Sequence, residues 1–134
     1  MRLVIDASVA IASVRASDPA HAAARARIER AIQNVDELVH PAIFPVELGG
    51  ALARLGAPDA EISRLVKALV GPPHELVTIG VKRAAAAQAI AMKARLRGAD
   101  ALYVWLASTR GVTLCTLDHE MAQRGAAFCK VITP

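Results

Sequence analysis

Acidic side chains stand beside apolar residues at three places where a hydrophobic core would normally exclude charge. Asp6 follows the apolar run RLVI, Asp100 lies within ADALYVWLA, and Asp118 ends TLCTLD. Asp100 and Asp118 also bracket 17 residues that contain no other acid. Each has a simple structural explanation, because Asp6 and Asp118 can cap a following helix and Asp100 can favour the first turn of its own helix. The same positions also suit ligands or catalytic groups.

Glu47 is the acid that is hardest to explain as a surface residue. Helical spacing in FPVELGGALARL places Glu47 on the same face as Phe44, Leu48 and Leu52, so its carboxylate is directed at the core. A buried carboxylate is costly unless it is paired or bound to a metal, and a salt bridge to an arginine is the structural alternative. The remaining eight of the 12 acids, Asp36 among them, are expected at helix starts or on the solvated surface.

Four carboxylates that meet at one place would need a cation. They repel one another, and each raises the pKa values of the others unless positive charge neutralises them. A site of carboxylate oxygens without convincing His or Cys ligands favours hard cations such as Mg²⁺ or Mn²⁺. Such ions bind phosphate oxygens and activate water, so the chemistry that this set favours is hydrolysis of a phosphodiester.

The segments that must position these acids alternate between strand and helix. Apolar runs predict strands at RLVID (2–6), ELVH (37–40), ELVTI (75–79), VTLCT (112–116) and CKVIT (129–133), with helices between them. Short connections without Asn-Gly or Asp-Gly turns predict an α/β fold, with a mostly parallel sheet of about five short strands and helices on both faces. We expect one domain over residues 1–134. Ligands of such sheets gather beyond the carboxyl ends of the strands, where Asp6 and Asp118 are expected.

The overall charge permits an anionic partner. The chain has 16 Lys and Arg against 12 Asp and Glu, and removing the four candidate acids from the net charge of +4 leaves +8. With only four aromatic residues, a nucleic acid would be held through its phosphates and shape more than by base stacking. No apolar stretch reaches the length of a membrane span, and the two isolated cysteines suit a reducing cytoplasm.

Four segments, taken in order, carry a family resemblance. They are VIDASV (4–9), PVELGGALAR (45–54), ADALYVWLA (99–107) and TLCTLD (113–118). They resemble the opening strand with its first acid, the Glu-bearing helix, the Asp-Ala segment and the end of the fourth strand of PIN-domain ribonucleases, specifically the VapC-type toxins of toxin–antitoxin pairs. The match covers essentially the whole chain. Each motif alone is weak, whereas the ordered set is fairly specific.

The resemblance implies a metal-dependent endoribonuclease that acts as the toxin of a VapBC-type pair. By this resemblance Asp6, Glu47, Asp100 and Asp118 hold Mg²⁺ or Mn²⁺, and an activated water cuts RNA to leave 5′-phosphate and 3′-hydroxyl ends. A VapB-like antitoxin and a homodimer are implied as well. Ser8 and Thr116 match positions where the family places a hydroxyl near the metal or phosphate, although capping and strand packing explain them equally well.

Two groups of basic residues are candidates for contacts with RNA. Lys93, Arg95 and Arg97 come shortly before Asp100, and we expect this group to contact RNA. The other group, at positions 25–30, is expected to be solvated surface.

Two other functions are compatible with the same acids. In the first, a non-catalytic PIN-like binding module uses the acids to dock a basic segment of a partner. In the second, a phosphohydrolase acts on small phosphoesters. The sequence argues against the second, because Ala7 and Ser8 follow Asp6 where an Asp-x-Asp opening would be needed, and no Gly-rich phosphate loop is present.

Overall fold

Alternating strands and helices place five parallel strands at the centre of the protein, as the apolar runs predict. The computed structural model describes all 134 residues. The strands are β1 (Arg2–Ile5), β2 (Glu37–Pro41), β3 (Glu75–Val77), β4 (Thr113–Cys115) and β5 (Val131–Ile132). The helices are α1 (Ala7–Val14), α2 (His21–Ile32), α3 (Phe44–Arg54), α4 (Asp59–Val70), α5 (Val81–Ala94), α6 (Gly98–Arg110) and α7 (His119–Gly125).

The order of the strands creates a switch point beside β1. The sheet runs β3-β2-β1-β4-β5, and every neighbouring pair is parallel. The first half of the chain therefore builds the sheet to one side of β1 and the second half builds it to the other side. Leu3, Val4 and Ile5 are fully buried, as expected for a central strand with both faces covered. This arrangement confirms the predicted α/β class.

Helix α6 is the main support of the strands around the switch point. It packs against β1, β2 and β4 and also against α5. Its residues Tyr103, Val104 and Leu106 are almost fully buried, and they belong to one continuous hydrophobic core. The first turn of α6 holds Asp100, so packing of this helix fixes the height of that acid relative to the sheet.

The end of α5 differs from the prediction in a way that affects the site. The alanine-rich segment predicts a helix over 81–97, but α5 ends at Ala94 because Arg95 takes a left-handed conformation with φ 54°. The chain then turns, buries Leu96 and reaches Arg97 in an extended conformation just before α6. Arg97 consequently precedes the helix that carries Asp100 instead of continuing α5.

Asp36 is buried, which corrects its assignment to the solvated surface. Arg30 donates to both of its carboxylate oxygens at 2.7 and 2.9 Å, and Arg27 and the Met1 amino group each donate at 3.1 Å. The hydrogen bonds from Arg30 are the main reason that the pKa of Asp36 falls well below its usual range, and burial opposes them. Arg27 and Arg30 therefore have a structural partner and are not simply solvated bases.

Candidate functional site

Two adjacent strands bring the first and last candidate acids to the same edge of the sheet. Ile5 of β1 lies opposite Cys115 of β4, and the Asp6 amide donates to the Cys115 carbonyl at 3.2 Å. Asp6 and Thr116 thus leave their strands side by side, and Asp118 follows two residues later. This is the carboxyl edge of the sheet at the switch point, where ligands of open α/β sheets bind.

Asp6 is buried without capping the helix that follows it. It occupies the N-cap position of α1, yet its side chain accepts no capping hydrogen bond, so capping does not explain its presence. Its side chain is instead held by Ser8, whose Oγ donates to Asp6 Oδ1 at 2.6 Å. The same Oγ accepts from the Leu117 amide at 3.1 Å. Ser8 therefore links the turn after β1 to the turn after β4.

The environment of Asp6 opposes its negative charge. With only 4% of its surface exposed, burial raises its pKa from 3.8 to about 6, and the nearby charge of Asp118 contributes in the same direction. The hydrogen bond from the Ser8 hydroxyl opposes this rise. A carboxylate in such a position favours a nearby cation, since positive charge removes the cause of the shift.

Asp118 is held by the backbone through one oxygen only. Its Oδ1 accepts from the Met121 amide at 2.8 Å and caps α7, so the capping explanation is correct for this acid. The Asp118 amide in turn donates to Thr116 Oγ1 at 3.0 Å. These contacts fix the carboxylate and leave Oδ2 directed at another partner.

That partner is Arg97, which joins two of the four acids. Arg97 Nε donates to Asp100 Oδ2 at 3.0 Å and Arg97 Nη2 donates to Asp118 Oδ2 at 3.1 Å. Asp100 is 9% exposed, and burial raises its pKa while the Arg97 hydrogen bond lowers it. The two carboxylates are close enough for the charge of Asp118 to raise the pKa of Asp100 further.

Glu47 joins the site through Tyr103. The buried Tyr103 hydroxyl donates to Glu47 Oε1 at 2.6 Å, so the partner of Glu47 is a tyrosine and the structural alternative, a salt bridge to an arginine, is not observed. Burial raises the pKa of Tyr103 far above its usual range, and the charges of Glu47, Asp6 and Asp100 raise it further. The Tyr103 hydroxyl is thus close enough to these three candidate acids to be affected by the charge of each. From the sequence Tyr103 is not recognisable as a site residue, because its hydrogen bond to Glu47 joins residues 56 positions apart.

The donors suit a divalent cation in type, but they are not arranged as a coordination shell. Carboxylate and hydroxyl oxygens are the ligands that Mg²⁺ and Mn²⁺ prefer. However, no group of three or more His, Cys, Asp or Glu side chains is placed to hold a metal ion. Asp100 and Asp118 are directed at Arg97, Asp6 at Ser8 and Glu47 at Tyr103. The site therefore has suitable ligands, two of which are neutralised by an arginine.

The three bases expected to contact RNA differ in their surroundings. Lys93 is exposed, and its Nζ lies 5.9 Å from the centre of the Phe128 ring. The Arg95 side chain is exposed, and neither Lys93 nor Arg95 forms a salt bridge. Arg97 is paired with Asp100 and Asp118, so of these three bases only Lys93 and Arg95 have no acidic partner.

Fold and site together define a parallel α/β protein with a carboxylate cluster at the switch point of its sheet. The family model for the PIN domain matches residues 3–127, and the chain belongs to the PIN-domain family. The resemblance carried by the four sequence motifs is confirmed at this level. No helix is both long and apolar enough to cross a membrane.

Solved structures similar to this chain include VapC toxins. VapC20 from Mycobacterium tuberculosis, a Sarcin-Ricin loop cleaving toxin, has a TM-score of 0.76 at 14% identity, with 98% of this chain and 99% of that chain covered. PAE2754 from Pyrobaculum aerophilum has a TM-score of 0.70 at 24% identity, with 99% and 92% covered. VapBC2 from Rickettsia felis, bound to a promoter DNA fragment, has a TM-score of 0.69 at 11% identity, with 100% and 99% covered. No curated protein matches the chain.

Proposed function

We propose that this protein is a metal-dependent endoribonuclease and the toxin of a VapBC-type pair, with residues 1–134 forming one cytoplasmic nuclease domain. The observation that carries the proposal is the nearly buried Asp6, which has no capping role and lies beside other acids at the switch point of a PIN-domain sheet. A purely structural residue here would gain stability from being neutral. An aspartate at this buried position is explained if its carboxylate binds a cation.

The four acids Asp6, Glu47, Asp100 and Asp118 would hold Mg²⁺ or Mn²⁺. When bound, such an ion supplies an activated water and neutralises charge on the phosphate under attack. The chain's own contribution is to orient its acids. Ser8 holds Asp6, the Met121 amide together with Thr116 holds Asp118, and Tyr103 holds Glu47.

RNA is the polyanion that this proposal assigns to the basic surface. Outside the four acids the chain carries a net charge of +8, obtained by removing four negative charges from the total of +4. Lys93 and Arg95 are exposed and uncompensated close before the site in sequence, so they are the bases that we expect at the phosphates. The similar fold of VapC20, a Sarcin-Ricin loop cleaving toxin, supports an RNA substrate.

A VapB-like antitoxin and a homodimer complete the proposal. An open apolar groove lies among α1, α2, α3 and α4, and its lining includes Val14, Ile32, Leu52, Ile62 and Leu65. Val14 and Ile32 are 49% and 47% exposed, so the groove presents large apolar side chains to solvent. We assign this groove to an apolar segment of the antitoxin, because an open apolar groove fits the apolar face of a partner segment and a chain of the VapBC2 structure shares this fold.

The test is cleavage of total RNA by the purified protein with Mg²⁺ or Mn²⁺ and with EDTA. We expect cleavage only with the divalent ion, and a loss of at least about 100-fold in Asp6→Asn and Asp100→Asn, beyond the loss typical of residues that merely support ligands. Asp59→Asn, an exposed acid at the start of α4, is the matched control and should cleave like the wild type.

Two results would reject the nuclease proposal. If folded wild-type protein leaves RNA intact with either metal but still binds its antitoxin, the acids serve a binding module. If it hydrolyses a chromogenic phosphoester and not RNA, the protein is a small-molecule phosphohydrolase.

A further inference from the structure

The Arg97 guanidinium lies between Asp100 and Asp118, at the place where these two acids would share a cation. We propose that the Arg97 guanidinium competes with the divalent ion, so that it must leave Asp100 and Asp118 before both can bind metal. The inference rests on the proposed function, since it takes these acids to be metal ligands. It assigns to Arg97 a role at the acids themselves, in place of the surface contact with RNA predicted for it.

The geometry of the bridge supports a competition for the same oxygens. One guanidinium donates through Nε to Asp100 Oδ2 and through Nη2 to Asp118 Oδ2, at 3.0 and 3.1 Å. These acids come from different segments, the first turn of α6 and the turn after β4. No other cation contacts either carboxylate. A divalent ion that used the same two oxygens would have to take the place of the guanidinium.

The surroundings of Arg97 allow it to leave. Its side chain is 71% exposed, and its only side-chain hydrogen bonds are those to the two acids. Its release is tolerated because the incoming divalent ion takes over the neutralisation of Asp100 and Asp118, whose side chains are only 12% and 25% exposed. Asp118 would stay in place without Arg97, because its Oδ1 remains bound to the Met121 amide. The Asp118 carboxylate therefore remains positioned while the cation beside it changes.

Arg97 also affects the metal-free protein. Its positive charge offsets part of the repulsion between Asp100 and Asp118 without any bound metal. The metal affinity of the site is then lowered by the energy needed to displace the arginine.

The test compares Mn²⁺ binding by the full chain without RNA, measured by isothermal titration calorimetry. Arg97→Gln should bind Mn²⁺ about threefold to tenfold more tightly than the wild type, because nothing then has to be displaced. Arg95→Gln is the matched control. It removes the same charge two residues away, from a side chain that forms no salt bridge with the acids, and its affinity should stay within about twofold of the wild type.

A second readout is the thermal stabilisation produced by Mn²⁺ relative to EDTA. A ligand that binds the folded state more tightly raises the Tm further, so the rise should be larger in Arg97→Gln than in the wild type or Arg95→Gln.

Arg97→Lys keeps the charge but loses the planar fork that reaches both acids. Its Mn²⁺ affinity should lie between those of the wild type and Arg97→Gln, and it carries the test if the Gln variant does not fold.

The outcomes separate this inference from the proposed function. If the wild type binds Mn²⁺ and Arg97→Gln binds it no more tightly than Arg95→Gln, the competition is disproved while the metal site stands. If Arg97→Gln binds Mn²⁺ more weakly than the control, Arg97 assists the metal and the inference is also wrong. If no variant and no wild-type protein binds Mn²⁺, the proposed metal site itself fails.

Discussion

The charge on Asp6 makes the folded state sensitive to pH. Because burial raises its pKa to about 6, the folded protein binds a proton at Asp6 more readily than the unfolded chain, in which the value is near 3.8. The stabilising contribution of Asp6 is therefore complete below pH 3.8 and is lost as the pH rises through 6. At neutral pH and without metal, the ionised Asp6 carboxylate lowers the free energy of unfolding by up to about 3 kcal/mol, because each unit of pKa shift corresponds to about 1.36 kcal/mol.

Replacing Asp6 with asparagine should exchange activity for stability. In EDTA at pH 7.5, Asp6→Asn should raise the free energy of unfolding by about 1–3 kcal/mol, because the buried charge is removed. The difference should shrink towards zero below pH 4. Urea denaturation at several pH values measures both effects, with Asp59→Asn as an exposed control. An Asp6→Asn protein that is less stable than the wild type at pH 7.5 would contradict this account.

Tyr103 is the residue that positions Glu47, and removing its hydroxyl should impair the site more than the fold. Tyr103→Phe keeps the buried ring but deletes the 2.6 Å hydrogen bond. We expect cleavage to fall by about 10–100-fold and Mn²⁺ affinity to fall by about tenfold, as for other groups that support a ligand. The free energy of unfolding should drop by only about 1 kcal/mol.

A double-mutant cycle with Glu47→Gln separates positioning from mere packing. If Tyr103 acts through Glu47, the loss of Mn²⁺ affinity in the double variant should be clearly smaller than the two single losses added together. Fully additive losses would mean that the hydroxyl does not act through this carboxylate.

At the scale of elements, the sequence predicts those features that depend on local pattern. The apolar runs that end in Asp6 and Asp118 predict β1 and β4, and a parallel sheet then places both acids at one edge. Glu47 could be recognised because it interrupts an apolar helical face. These three acids conflict with their apolar neighbours, and that conflict is visible without tertiary information.

The remaining features depend on packing that local pattern does not encode. The hydrogen bond from Tyr103 to Glu47 joins residues 56 positions apart on α6 and α3. Arg97 reaches the acids because Arg95 ends α5 in a left-handed conformation, which an alanine-rich helical segment does not indicate. The position of Asp36 just before β2 predicts a surface residue. Its burial depends on hydrogen bonds from Arg30 and from the Met1 amino group, which lies 35 residues away in sequence.

The groove among α1 to α4 should be required for binding of the antitoxin. Ile32→Lys places a charge in this apolar lining at a side chain that is already 47% exposed, so the fold should tolerate it. Affinity for the proposed VapB-like antitoxin should fall at least about tenfold, as expected for an interface anchor. Biolayer interferometry with immobilised antitoxin measures this change.

Val81→Lys is the control for that experiment. Val81 is 89% exposed at the start of α5 and lies outside the groove lining, so it adds the same charge elsewhere. Equal affinities of Ile32→Lys and Val81→Lys for the antitoxin would reject the groove as its binding surface.

At the scale of the whole molecule, the net positive charge comes from residues outside the four candidate acids. Asp6 and Asp118 lie at the switch point and Arg97 joins Asp118 to Asp100, whereas the chain without its four candidate acids has a net charge of +8, because four negative charges are removed from +4. The net positive charge of the rest of the protein would attract a long polyanion, whereas the four acids would repel its phosphates unless a cation neutralises them. Binding of RNA and loading of the metal should therefore be separable, and binding can be measured in EDTA without cleavage.

Salt dependence of RNA binding in EDTA tests which bases contact phosphates. Each contact releases counterions, so removing one should weaken binding and reduce the slope of log K against log salt by about 0.7–1. We expect this change in Lys93→Gln and in Arg95→Gln, measured by fluorescence anisotropy with a structured RNA. Lys67→Gln is the control, since Lys67 is exposed on α4, which packs against α2, α3 and β2. If all three variants lower the slope equally, RNA binding depends only on the total charge of the protein. A reduction confined to the Lys93 and Arg95 variants would mean that the RNA phosphates lie beside the segment that leads into Asp100.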